Sequence, residues 1–146
     1  LSKGLGAPIG SVMLSTKERV AKARVWRKRY GAGMRQVGIL AAAGHYALDH
    51  NIAPLAEDHR RAKEIAVALN AIVPSVIDPA TVQTNIVGLD LAELNITAAE
   101  LATRCKAEGL LIGALGPKYA RLVTHLDIDD AGTAYAIEVL KRTLVA

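Results

Sequence analysis

The chain has 146 residues, enough for one domain with a real core. At 51% hydrophobic and 22% charged it has the composition of an ordinary globular protein, and it contains no apolar run of the about 18 residues that a membrane span needs. Net charge is +4, but residues 17–35 hold eight of the eighteen Lys and Arg with Glu18 as the only acid, so the charge is concentrated in a patch. Such a patch wants anions: phosphate groups or a partner's carboxylates. Nucleic acid is disfavoured, because aromatics are 3%, Phe is absent and no nucleic-acid-binding fingerprint is present. The start, Leu1-Ser2-Lys3-Gly4, has no apolar signal region and no initiator methionine, which fits a fragment or a processed chain. One cysteine, Cys105, excludes an internal disulfide and points to a reducing, cytoplasmic setting. It reads as a small, semi-buried helix residue.

In chain order, Ser2-Lys3-Gly4-Leu5-Gly6-Ala7-Pro8 is a tight, glycine-rich turn, and residues 9–14 read as a short strand. Ser15-Thr16-Lys17-Glu18 has the capping-box pattern and opens a helix to about Arg29, with Val20, Ala21, Val25 and Trp26 at helical spacing. Gly31-Ala32-Gly33 breaks it, and a second, very apolar helix follows over about 34–48, where Gly38 and Gly44 point to close helix packing. Asp49-His50-Asn51 and Pro54 punctuate its end. A third helix, about 55–71, places Leu55, Ile65, Ala66 and Leu69 inward and His59-Arg60-Arg61 outward. Pro74 and Pro79 mark a change of texture, after which residues 82–89 read as a strand. The capping box Thr97-Ala98-Ala99-Glu100 starts a helix to about Glu108, with Gly109 as its C-cap. Residues 110–112 read as a second strand, Gly116-Pro117 as a turn, about 119–124 as a third strand, and Asp127 caps a final helix to about Leu144. The order predicts an α/β fold: a small sandwich over 53–146 with helices on one face of a sheet. Residues 1–52 have too few strands to close a sheet, and their apolar helix must pack on something outside this chain.

Lys3 is the first candidate for chemistry. An amine between small residues leaves room for a flat ring, and a lysine amine is the group that forms a Schiff base with an aldehyde cofactor. That role requires a neutral amine, favoured by burial or by nearby positive charge such as the basic cluster downstream. Gly31-Ala32-Gly33 at the start of a helix offers backbone N–H groups to an anion, flanked by Lys28 and Arg35. An ordinary helical-hairpin turn with solvated charges has the same pattern. Arg121 sits in an otherwise apolar strand, where its charge needs a partner. Spacing leaves two choices open: bidentate capture of an amino acid's carboxylate, or an ion pair with Asp127 or Asp129. His125 reads as the anchor of a strand-to-helix turn. His45, His50 and His59 lack metal-ligand spacing, so no metal site is expected.

Three runs in this order resemble the C-terminal half of threonine aldolases: Ser2 to Pro8, Trp26-Arg27-Lys28-Arg29-Tyr30-Gly31-Ala32-Gly33-Met34-Arg35-Gln36, and Arg121-Leu122-Val123-Thr124-His125-Leu126-Asp127. Leu55-Ala56-Glu57-Asp58-His59 and Thr84-Asn85 add matches, so the resemblance covers essentially the whole chain. It implies a fold-type-I pyridoxal-phosphate enzyme, with residues 1–52 the end of the large cofactor-binding domain and 53–146 the small C-terminal domain. It further implies a homotetramer built as a dimer of dimers, with active sites at subunit interfaces. The implied reaction is cleavage of threonine or allo-threonine to glycine and acetaldehyde. By the same resemblance Lys3 is the catalytic, cofactor-holding lysine, with Ser2 beside it. Arg121 binds the substrate carboxylate, and Lys28 and Arg35 lie near the cofactor phosphate and the substrate. Ala32 departs from the three glycines usual there. The ring-stacking histidine, the acid that pairs with the pyridine nitrogen, the catalytic base and most phosphate ligands are expected in the N-terminal half, this chain's first partner. Rival readings are another enzyme of the same cofactor fold (an aminotransferase, a β-eliminating lyase, serine hydroxymethyltransferase), against which the run from Trp26 to Gln36 argues. A non-catalytic domain that holds an acidic partner on its basic face is a rival of a different class.

Overall fold

The computed structural model describes residues 1–145 and divides into two compact units, Leu1–Ala53 and Pro54–Ala146. The first unit contains α1 (Lys17–Arg29) and α2 (Gly38–His50) and no strand. Residues 9–14 form no sheet pairing, and Val12, Met13 and Leu14 are exposed; an apolar run becomes a strand only where another strand accepts its hydrogen bonds. α1 starts one residue later than the pattern suggests. Thr16 is its N-cap, with the hydroxyl accepting from the Arg19 N–H at 3.4 Å, and Glu18 turns to Lys22 at 2.7 Å instead of closing a capping box. α2 also starts later than 34, after a loop in which Gln36 has φ +50°. Gly44 is buried against Leu1, whereas Gly38 has no neighbour within 4 Å of where a Cβ would stand.

The second unit is mixed α/β, as expected. β1 (Ile86–Asp90), β2 (Gly113–Gly116) and β3 (Tyr119–Val123) form one antiparallel sheet in the order β1-β3-β2. α3 (Leu55–Asn70) packs on β1, α4 (Ala98–Ala107) on β2 and β3, and α5 (Asp130–Val145) on α3 and α4. Strand alternation assigns the faces. Val87, Leu89, Ala120 and Leu122 turn into the core with Ala62, Ile65, Leu69, Leu101, Val139 and Leu140. Ile86, Gly88, Asp90, Tyr119, Arg121 and Val123 occupy the opposite face of the sheet.

Three boundaries differ from the sequence reading. The first strand begins at Ile86, not 82, because Pro79–Thr81 forms a 3-10 turn capped by Asp78 and the ladder is closed at Asn85. There the Thr124 N–H donates to the Asn85 carbonyl at 3.0 Å, and the Asn85 side-chain amide returns a bond to the Thr124 carbonyl at 2.8 Å. The second strand is Gly113–Gly116, not 110–112. Gly109, at φ +80°, ends α4, the Leu110 N–H bonds back to the Cys105 carbonyl, and Leu110 and Ile112 pack on the core as a linker. Tertiary pairing with β3 makes a strand of four residues with little intrinsic β preference. At the last helix Asp129, not Asp127, caps, its carboxylate accepting from the Gly132 N–H at 2.7 Å.

Candidate active site

The Lys3 segment is a folded loop seated on α2. The Lys3 carbonyl accepts from the Gly6 N–H at 2.8 Å, and the Ala7 N–H donates to the Leu1 carbonyl at 3.1 Å. Asn51, at the C-cap of α2, donates its side-chain amide to the Leu5 carbonyl at 2.8 Å. The Leu1 side chain lies where a Cβ on Gly10 or Gly44 would stand 3.3 Å from its Cδ1. The loop backbone is fixed by these contacts, while the Ser2 and Lys3 side chains are exposed. Of the two expected means of favouring a neutral Lys3 amine, burial or nearby positive charge, burial is not supplied by the described residues.

The turn after α1 does not form the expected anion cradle. Gly31, at φ +76°, ends α1, and its N–H and that of Ala32 donate to the carbonyls of Lys28 and Arg27 at 3.1 and 3.0 Å. These N–H groups belong to the C-terminus of one helix, not the N-terminus of the next, so the local dipole there is negative. It complements Arg27, Lys28 and Arg29 in the last turn. What remains for an anion is side-chain charge. Lys28 folds its stem over Gly33, where a Cβ would stand 2.7 Å from Lys28 Cδ, so glycine is required for that approach. Arg35 is exposed, and among the described residues neither cation pairs with an acid. Arg29 lies 5.0 Å over the Trp26 ring, which stacks on Tyr30 at 5.8 Å.

Arg121 is not buried. It stands on the open face of the sheet, directly across from Gly88 on β1 and Gly113 on β2. Neither expected acid reaches it: Asp129 caps α5, and the Asp127 carboxylate lies 3.5 Å from His125 Nδ1. That leaves the guanidinium without an acidic partner among the described residues, consistent with a ligand carboxylate and inconsistent with the structural ion pair. His125 anchors the turn as expected, its ring accepting from the Asp127 N–H at 3.3 Å and its carbonyl from the Ile128 N–H at 2.9 Å. No cluster of metal-ligating side chains occurs among the described residues.

Two features went unnoticed in the sequence. Tyr119, on the same face of β3 as Arg121, lays its ring over Gly88 beside a cleft of about 750 Å³ that also includes Ile77, Thr84, Ile86 and Asp90. The signal was the two-residue spacing of Tyr119 and Arg121, which puts them on one face of any strand. The second feature is Asp58, whose carboxylate is buried within α3.

Each unit by itself offers groups of fitting chemistry, the first an amine and cations for an anionic aldehyde cofactor, the second a guanidinium for a carboxylate. On the first unit the exposed Lys3 amine sits on a pinned loop, and Lys28 and Arg35 pair with no acid among the described residues; on the second unit the same holds of Arg121. Among the described residues no helix is long and apolar enough to cross a membrane.

The chain is similar to curated proteins over most of its length. The Escherichia coli (strain K12) low specificity L-threonine aldolase is 44% identical over 128 residues, covering 88% of this chain and 36% of that protein. A probable low-specificity L-threonine aldolase 2 of Arabidopsis thaliana is 38% identical over 143 residues, 97% of this chain and 40% of that protein. A probable low-specificity L-threonine aldolase of Schizosaccharomyces pombe is 39% identical over 144 residues, 99% of this chain and 34% of that protein. The chain thus spans about two fifths or less of the length of these curated relatives. The profile of the beta-eliminating lyase family matches residues 1–92. That match takes in more than half of the chain, which belongs to the beta-eliminating lyases, a family of the fold-type-I pyridoxal-phosphate superfamily.

Proposed function

We propose that this chain is the lysine-bearing part of a pyridoxal-phosphate-dependent aldehyde lyase that cleaves L-threonine or L-allo-threonine to glycine and acetaldehyde. The observation that carries the reading is Arg121, an uncommitted guanidinium on an open sheet face between two glycines. The names of the relatives, read over nearly the whole chain, supply the reaction.

In this reading the Lys3 amine, the group that forms a Schiff base with an aldehyde, would hold the cofactor. Ser2, next to it, is a hydroxyl donor to the cofactor. Lys28 and Arg35 contribute positive charge toward the cofactor phosphate, Lys28 also toward the substrate. Arg121 takes the substrate α-carboxylate in its planar fork, which fixes the orientation of the Cα–Cβ bond to be broken. When bound, pyridoxal phosphate supplies an electron sink for the pair left at Cα. The proton on the substrate's β-hydroxyl goes to a base in the remaining part of the enzyme, which also brings the other cofactor contacts. Assembly with that part, and association into a homo-oligomer, belong to the same proposal, as does a cytoplasmic location.

The test is borohydride reduction of the assembled enzyme with pyridoxal phosphate, followed by intact mass and peptide mapping, alongside product analysis. A phosphopyridoxyl group on Lys3, with glycine and acetaldehyde formed from threonine, is the expected result. Ammonia and a keto acid would instead assign the β-elimination in the family's name. Label scattered over surface lysines would remove Lys3 from the mechanism.

A further inference from the structure

The open face of the sheet holds a second donor beside Arg121. Tyr119 and Arg121 are two residues apart on β3, so both side chains leave the sheet on the face away from the helices. The ring of Tyr119 then crosses to the neighbouring strand. A Cβ on Gly88 would overlap the Tyr119 hydroxyl and stand 3.0 Å from ring atoms Cε2 and Cζ. Gly88 is also the residue directly across from Arg121 in the β1–β3 pairing. The phenol oxygen therefore occupies the place of the side chain that would face Arg121. Cβ positions of such directly opposed residues lie about 4.5–5.5 Å apart, within the reach of an arginine side chain. The hydroxyl makes no hydrogen bond to any described residue, and Tyr119 as a whole is 44% exposed. The glycine at 88 is what lets the ring lie flat. On the other side, at Gly113, a Cβ would meet the Arg121 carbonyl at 3.5 Å and the Leu115 side chain at 3.9 Å, an apolar group and no second donor.

We infer that Tyr119 is a substrate-binding residue whose O–H is the second donor to the carboxylate held by Arg121. The inference rests on the reading of Arg121 given under the proposed function. A carboxylate has about four acceptor sites, and the Arg121 fork fills two of them. A phenol fixed to one side takes a third and sets the direction from which the carboxylate enters. Neutral Tyr donates here without adding charge, so it orients the substrate and leaves net attraction to Arg121.

The experiment measures the affinity of the assembled holoenzyme for glycine and for ethanolamine, which has the amine but no carboxylate, by titration calorimetry. Tyr119→Phe keeps the ring and removes the donor; the expected result is about a tenfold weaker glycine affinity, the low end for a hydrogen bond to a charged group, with ethanolamine unchanged. Gly88→Ala, which displaces the phenol while keeping it, is expected to reproduce the loss. Tyr119→Phe with unchanged glycine affinity, while Arg121→Gln loses it, overturns the role of Tyr119 and leaves that of Arg121 standing. Unchanged affinity in both Tyr119→Phe and Arg121→Gln overturns the carboxylate site itself, and Tyr119 with it.

Discussion

Asp58 places a carboxylate at 1% exposure in the second unit. Asp58 Oδ1 lies 4.0 Å from the Arg61 guanidinium, and Oδ2 has no hydrogen-bond partner among the described residues. Its backbone carbonyl is used, accepting from the Thr124 hydroxyl at 2.6 Å, which ties the start of α3 to the end of β3. Arg61 is shared, because its Nε also donates to Asp130 at 2.8 Å. Removing one partner of a buried pair strands the other charge, so Arg61→Met is expected to cost about 3 kcal/mol. Asp58→Asn in the Arg61→Met background removes the stranded charge and is expected to recover most of that loss. Urea unfolding of the two single variants and the double variant checks this, and additive losses would show that the pair is not coupled. The position was legible in part. Asp58 shares helical spacing with Ala62, Ile65, Ala66 and Leu69, all buried, but an acid is a poor guess for an inward site. Arg121 was misread for the opposite reason. Alternation gives two faces, Ala120 and Leu122 or Tyr119, Arg121 and Val123, and only the packing of α4 on β3 decides that the smaller set turns inward.

At the scale of elements, caps decided where the sequence reading succeeded. Thr97 and Glu100 form the complete reciprocal box, with the Glu100 N–H donating to the Thr97 hydroxyl at 3.2 Å and the Thr97 N–H to the Glu100 carboxylate at 2.7 Å. The same pattern at Ser15 failed, because Thr16 is an equally good cap one residue on and Lys22 competes for Glu18. The bond from the Thr97 hydroxyl, then that from its N–H, holds the Glu100 carboxyl below its ordinary value. A lowered folded-state value means that this contribution to stability is complete above 4.5 and disappears as pH falls through the folded value. Glu100→Gln is therefore expected to separate from the parent chain at neutral pH and to converge with it in acid. Unfolding midpoints of both proteins from pH 7 downward make the comparison, and a gap that stays constant would detach the ionised carboxylate from the cap. Strand ends were less legible than helix ends. Their limits depend on partners distant in sequence, such as Asn85 with Thr124, and no local pattern announces these.

At the scale of the molecule, the two units differ in both core and charge. The hydrophobic core, from Ala62 to Leu144, belongs wholly to the second unit. In the first, α1 buries no residue, and α2 buries only Gly44 and Ala47 while Ile39 is 83% exposed. Residues 1–53 carry nine Lys and Arg against two acids, and residues 54–146 carry nine against twelve. A unit that is self-repelling and nearly coreless gains little from folding, since about 1–2 kcal/mol of backbone entropy per residue must be offset by burial it does not have. The sequence raised the expectation that its apolar helix packs on something outside the chain, and no local pattern says what that would be. Hydrogen exchange on this chain by itself tests the asymmetry. Amides of α1 and α2 are expected to exchange with almost no protection, while those of α3, β1, β3 and α5 exchange only through global opening. Equal protection in the two units would mean that the first unit holds itself together. Protection of α1 and α2 that appears only on assembly with the rest of the enzyme would identify that surface as the covered one, and would tie ordering of the Lys3 loop, which α2 carries through Asn51 and Gly44, to the same event.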